Sequence, residues 1–429
     1  MSGAEDYSRL DRLVHRLAFA RPAVQLAAAD MEDGMFARDI AGVALDRPIF
    51  VTSLPRAGTT VLLTALAKSP MLATHTYRDM PFVMAPLLWS RLSGSFRKSA
   101  ALRERAHGDG MHIGYDSPEA FEEVVWKTFW PGHYKDDGIV LWQATDRNAE
   151  GEAFLARHMR KIVALRCGKN AAQGRYISKN NANIARLPLI AQAFPDARIV
   201  VPVRSPLEHA ASLLRQHLNF LDQHGREPFV RRYMADIGHL EFGALHRPIA
   251  FPGFAERARG LDPRDIDYWL AYWIAAFNHV AAADPGIILV SHEALAGSGA
   301  RGVTRLCAAI GVEPGPELSA MAALAAACQE LAVGFEAVSD QIADVERQTR
   351  ESLSLRAWTL LCYLSFEAAI AETIAPRLPD LTADDPRPRM IGALAMAAFR
   401  ISLDDWLRDG GSLPDRISRA VTCMTLSPT

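Results

Sequence analysis

Residues 49–60 read I-F-V-T-S-L-P-R-A-G-T-T. The apolar run over residues 48–52 predicts a strand, and Pro55–Gly58 a tight loop. Thr59-Thr60 then open an amphipathic helix that runs from about Thr60 to Lys68 and stops at Ser69-Pro70. Strand, tight loop and helix N-terminus in this order form a phosphate-binding layout, in which backbone N–H groups surround an anion. Set against G-x-x-x-x-G-K-[ST], Ser53 stands at the first Gly, Gly58 at the second and Thr59 at the Lys. The lysine that follows the phosphates of a nucleoside triphosphate is missing, and a different cation, Arg56, stands inside the loop. The loop suits a tetrahedral oxyanion other than the phosphate tail of ATP.

Working outward, Arg175–Ser178 predicts a short strand and Ala182–Phe194 a helix. Arg198–Val203 predicts a buried strand, followed at Ser205-Pro206-Leu207-Glu208 by a helix start with Ser at N-cap, Pro at N1 and Glu at N3. An apolar helix over Tyr268–Ala283, a buried strand at Gly286–Val290 and a helix from about Ala300 to Ile310 continue the alternation. Strands alternating with helices predict an α/β fold, a P-loop-like parallel sheet flanked by helices. Residues 1–46 read as an N-terminal helical segment and 47–316 as the α/β domain. From 317 to 429 the pattern is a helical extension, expected to pack on the same domain. Residues 83–140 are rich in aromatics and His and read as an insertion. Ser117 is its expected N-cap, and of Glu122 and Glu123 at most one is expected to be buried.

The 429 residues carry 47 Lys and Arg against 49 Asp and Glu, so no large basic field attracts nucleic acid. Five widely spaced cysteines form no C-x-x-C pair or zinc spacing, which favours reduced thiols in a cytoplasmic protein. No apolar run approaches the length of a spanning helix, and the N-terminus lacks a signal-peptide pattern. Peripheral membrane contact remains open.

The second chemical segment is Arg204 with Ser212. Arg204 ends a strand, where open α/β sheets bind ligands, and Ser212 lies two helical turns on. An Arg fork and a hydroxyl suit a further phosphate. The pair of segments, strand–P-R-A-G-T-T–helix and strand–R-S-P-x5-S–helix, resembles the sulfotransferase family that uses 3′-phosphoadenosine 5′-phosphosulfate, and within it the bacterial protein-tyrosine-sulfotransferase-like group. Phe194–Pro206 and the late V-S-H-E-A-L (Val290–Leu295) add to the likeness, which covers about residues 47–312.

The resemblance implies that Ser53, Pro55, Arg56, Ala57, Gly58, Thr59 and Thr60 hold the 5′-phosphosulfate, and that Arg204 and Ser212 hold the 3′-phosphate. Arg56 is then the catalytic cation, no metal is required, and the product is 3′-phosphoadenosine 5′-phosphate. Lys179 ends a strand ahead of the second segment and is expected to contact donor or acceptor. The family places a base after the first helix, which here is Asp79 or His75, with a Glu of the insertion as alternative. The expected acceptor is a hydroxyl or amine of a small-molecule, carbohydrate or lipid-linked compound. Two other readings remain: a P-loop kinase, opposed by the missing lysine, and an inactive nucleotide-binding regulatory module. The acceptor and the oligomeric state are not legible.

Overall fold

The computed structural model describes residues 9–93, 103–104, 112–113, 115–283, 286–313, 353–378, 382 and 384–423. The chain divides into two compact units, Met1–His292 and Glu293–Thr429.

The first unit is built on strands β1 (Ile49–Val51), β2 (Leu72–Ala73), β5 (Arg175–Lys179), β6 (Arg198–Val203) and β7 (Ile287–Ser291), in the order β2-β5-β1-β6-β7. Every neighbouring pair is parallel. A separate antiparallel pair, β3 (Arg103–Glu104) and β4 (His112–Ile113), lies in the insertion. The central strand β1 is buried throughout, as a continuous apolar run in a doubly covered parallel sheet requires. In register, Val51 lies opposite Lys179 on one side and Val200 on the other. All the strand C-termini therefore lie along one sheet edge, with β1 in the middle. The expected buried strand at 286–290 is instead the sheet's edge strand, with Leu289 60% exposed.

Helices Thr59–Leu66, Ala149–Cys167, Leu187–Ala193, Pro206–Arg226 and Ile266–Ala281 accompany this sheet. The helix expected at Ala182–Phe194 is split by Pro188. A 3-10 segment, Asn181–Ala185, precedes Leu187–Ala193, with Pro in the first turn. One core runs through the unit, joining Phe50, Tyr176 and Val201 of the sheet to Trp126, Trp142 and Trp269.

The aromatics of the insertion belong to that core: Phe121, Trp126 and Trp130 are all buried. Ser117 caps no helix; the helix here is Glu123–Phe129, while Thr76 and Pro118 form an antiparallel bridge. Glu122 and Glu123 are both buried, contrary to the helical-face argument, because each has distant partners. Glu122 accepts from Trp126 Nε1 (2.9 Å), Tyr176 (2.9 Å) and Asn183 (2.9 Å). Glu123 receives both terminal nitrogens of Arg186 (2.8 and 2.9 Å). The Arg186 guanidinium lies 4.6 and 4.3 Å from the ring centres of Trp126 and Trp142. A fully buried cation is stable here because it is paired, stacked and hydrogen-bonded.

In the second unit, helices Leu353–Ile374, Arg387–Asp409 and Leu413–Cys423 share their own apolar cluster, including Ile391, Phe399, Leu403 and Leu413. The helix expected from about Ala300 begins earlier, at His292, and reaches Ile310.

Candidate active site

The loop after β1 alternates backbone hands. Arg56 has φ +72° and Gly58 φ +88°. Alternation of this kind turns successive N–H groups toward one concavity. Gly58 is the N-cap of Thr59–Leu66 and supplies no side-chain cap, so the first-turn N–H groups have no partner from that source. A Cβ at Gly58 would stand 3.0 Å from Nδ1 of His292, so both backbone angle and space select glycine.

The loop is tied down from behind. Ser53 Oγ donates to the Pro202 carbonyl at 2.7 Å, and Thr59 Oγ1 to Asn181 Oδ1 at 3.3 Å. His209 Nε2 lies 2.7 Å from the Pro55 carbonyl. Ser53, Pro55, Ala57 and Thr59 are buried, whereas Arg56, Gly58 and Thr60 are partly exposed. The Ser53 hydroxyl proton is spent on the loop's own anchorage.

The two sequence segments converge: Arg56 Nε donates to Ser212 Oγ at 3.3 Å. Ser212 belongs to Pro206–Arg226, the helix that begins just beyond β6 and Arg204. Arg204 pairs with Glu208 through Nη2 at 3.3 Å, while its buried Nε has no hydrogen-bond partner. An orphaned guanidinium N–H beside a phosphate-type loop fits an anionic ligand. His209 is buried, and its pKa is pushed down to about 4. Burial is the main cause; the charges of Arg204, His292 and Arg56 act the same way, and the Pro55 hydrogen bond opposes them. The β6 side of the loop is therefore cationic.

The β5 side differs. Lys179 ends β5 opposite Val51 and is buried. Asn180 donates to Glu123 at 2.7 Å, and Asn181 Nδ2 to Glu241 Oε1 at 3.4 Å. A pocket opens here against Leu54 and Pro55 of the loop. Its walls are largely apolar (Leu240, Ile249, Trp269, Tyr272), and Glu241 and Arg247 also line it. Nearby, Glu119 accepts from the Tyr77 hydroxyl and from Ala120 N. Burial pushes its pKa up, but His239, Lys179 and these hydrogen bonds outweigh it and hold the carboxyl below its usual range.

Asp79 and His75 lie beyond β2, two strands from β1. Asp79 is 2% exposed and His75 1%. Asp79 Oδ2 meets His75 Nδ1 at 3.0 Å and accepts from Thr76 N at 3.0 Å, and Oδ1 accepts from Arg166. Burial pushes the Asp79 pKa up, yet the His75 hydrogen bond and the Arg166 charge leave it lowered. The other His75 nitrogen lies 2.9 Å from His158 Nε2. Both groups expected as bases are thus closed inside an internal network. Glu122 and Glu123 are equally closed, by the partners named above.

Sequence reasoning did not single out His209, Glu241 or Glu119; only the Ser205-Pro206 helix start hinted at the first, by placing residue 209 on the helix beside the loop. Among the described residues, no cluster of three or more His, Cys, Asp or Glu is arranged to hold a metal ion, and no helix is long and apolar enough to cross a membrane.

Residues 48–251 match the family model described as Sulfotransferase family, and residues 318–426 match the one described as MftR C-terminal domain. No curated protein matches the chain. Solved structures with similarity include sulfotransferase STF1 from Mycobacterium tuberculosis H37Rv, at 16% identity and TM-score 0.39, over 71% of this chain and 77% of that one. STF9 from Mycobacterium avium aligns at 16% identity and TM-score 0.37, over 67% and 70%. A sulfotransferase from Alicyclobacillus acidocaldarius aligns at 14% and 0.30, over 73% and 100%. The phosphate-type loop, the arginine and serine that meet it and the family-model match fall in one segment: over residues 48–251 this chain is similar to the sulfotransferase family.

Proposed function

We propose that the protein transfers a sulfuryl group, in line, from 3′-phosphoadenosine 5′-phosphosulfate to a hydroxyl or amine of a small-molecule, carbohydrate or lipid-linked acceptor. The observation that carries this reading is the Arg56–Ser212 contact at 3.3 Å, which joins the loop to the segment bearing Arg204. A donor with anions at both its 5′ and 3′ positions needs two such segments side by side.

In this reading the N–H groups around Gly58, Thr59 and Thr60 hold the 5′-phosphosulfate, with Pro55 and Ala57 shaping the loop. Arg56 neutralises charge on the sulfuryl and the leaving phosphate. Arg204 and Ser212 hold the 3′-phosphate, and Lys179 reaches the centre from β5. Ser53 acts by anchoring the loop. Little covalent work falls to the protein; positioning and charge neutralisation supply most of the rate.

The test follows nucleotide products across a panel of phenols, sugars and lipid headgroup analogues. Release of 3′-phosphoadenosine 5′-phosphate together with a sulfated acceptor is expected. Phosphorylated product from ATP and magnesium would replace this reading with a kinase.

A further inference from the structure

The first two helices of the chain meet the rest of the first unit through polar groups. In Arg9–Ala18, His15 is buried, and its Nε2 lies 3.0 Å from Asp236 Oδ2. The Arg12 guanidinium lies 5.2 Å from the centre of the Phe229 ring. Both partners belong to the helix Pro228–Ile237. Leu13 and Leu17, one turn apart, are 54% and 58% exposed. The helix Pro22–Met35 repeats the pattern. Its Gln25 and Glu32 are buried; Gln25 donates to the Pro81 carbonyl at 2.7 Å, and Glu32 lies 3.2 Å from Lys161 Nζ. Val24, Met31 and Met35, at spacings of seven and four, are exposed on the other side. Of the eighteen large apolar side chains exposed among the described residues, five therefore fall within residues 13–35. A surface helix ordinarily buries its apolar stripe. These two are inverted: polar groups dock them, and apolar ones face outward.

We propose that this face docks on an anionic lipid surface. Residues 9–21 hold Arg9, Arg12, Arg16 and Arg21 against the single acid Asp11, in a chain whose net charge is −2. Arg16 and Arg21 are exposed. Arginine beside exposed leucine is the composition of a helix that lies in the membrane interface. Its apolar side chains enter the acyl region and its guanidinium groups meet the lipid phosphates. The same charges oppose pairing with a second copy, which would bring two arginine clusters together across a two-fold axis. Leu13, Leu17, Met31 and Met35 are each more than half exposed, so they project from the surface and line no groove. A partner helix needs a groove, whereas a bilayer receives projecting side chains. Asp30 is the exposed acid of the second helix and works against docking. Docking of this kind does not depend on the sulfuryl-transfer reading.

The experiment sediments the full chain with vesicles of phosphatidylcholine, either alone or with one-third phosphatidylglycerol, at low and high salt. Binding to the anionic vesicles is expected, weakened by salt, with little binding to the neutral ones. Arg16→Gln and Arg21→Gln should each weaken it about fivefold. Leu13→Gln and Leu17→Gln should each weaken it about four- to tenfold, because only the exposed half of each side chain is newly covered. Asp30→Asn should tighten it. All five positions are exposed, so thermal melting of each variant should match that of the unaltered protein. Sedimentation velocity without lipid reads self-association of the same proteins. No binding to anionic vesicles, equal binding to neutral ones, binding indifferent to Leu13→Gln with Leu17→Gln, or a dimer that those two substitutions dissolve would each overturn the proposal.

Discussion

Replacing Arg204 by Ala should separate nucleotides with a 3′-phosphate from those without one. Its Nε is buried without a hydrogen-bond partner, and its Nη2 is held by Glu208 at 3.3 Å. Charge-assisted hydrogen bonds from such a group to a phosphate contribute about 1.5–3 kcal/mol. Binding must loosen the Glu208 pair, whose side chains are 26% and 59% exposed; a surface pair of that kind is worth about 0.5 kcal/mol. The difference is roughly 1–2.5 kcal/mol, or a Kd raised about 5- to 70-fold for 3′-phosphoadenosine 5′-phosphate. ADP affinity should change by less than about twofold, since it has no 3′-phosphate for Arg204 to lose. Glu208→Gln, which removes both a competitor and a repelling charge, should tighten the first ligand. Titration calorimetry of the three proteins with both nucleotides, and with ATP and magnesium, measures all of this. Equal losses for ADP and the 3′-phosphorylated ligand, or stronger binding of ATP with magnesium, would refute the reasoning.

Two further outcomes follow from the same geometry. Gly58→Ala must place a side chain at φ +88° beside the His292 ring, costing about 1–2 kcal/mol; nucleotide Kd should rise about 5- to 30-fold by calorimetry, and unchanged affinity would show that the observed loop backbone is not the binding one. Acid should weaken the α/β unit, because His209 and His217 are buried with pKa values pushed down to about 4 from an ordinary 6.5. Their contribution is complete above pH 6.5 and is lost as pH falls toward 4, since the unfolded chain binds protons first. Each should add up to about 1.4 kcal/mol per pH unit. Urea unfolding by tryptophan fluorescence at pH 7.5, 6 and 5 reads the slope, and a flat profile would contradict it.

What the sequence disclosed was local. The strand–loop–helix at 49–66 and the helix start at Ser205-Pro206 are written in neighbouring residues, and so were legible. The misplacements have long-range causes. Glu123 is buried because Arg186 meets it from 63 positions away, and Asp79 is enclosed because Arg166 and His75 reach it together. Helical periodicity contains no record of such partners. The edge position of β7 depends on sheet order, which an apolar run cannot report. Glu241 carries no motif; it is linked to the loop through Asn181 and by lining a pocket with Leu54 and Pro55, and neither relation is written in neighbouring residues.

The bond between His209 and the Pro55 carbonyl sets the polarity of the loop. A carbonyl accepts only, so Nε2 bears the proton and the neutral ring's Nδ1 is left bare and unpartnered. A concavity of N–H groups attracts anions only while the carbonyls between them face elsewhere, and each carbonyl turned away needs a donor behind it. His209 fills that place for Pro55, much as a backing plate holds a lens in orientation. In the proposed donor site, discrimination for an anion is then shared with the buried His209 ring that holds this carbonyl.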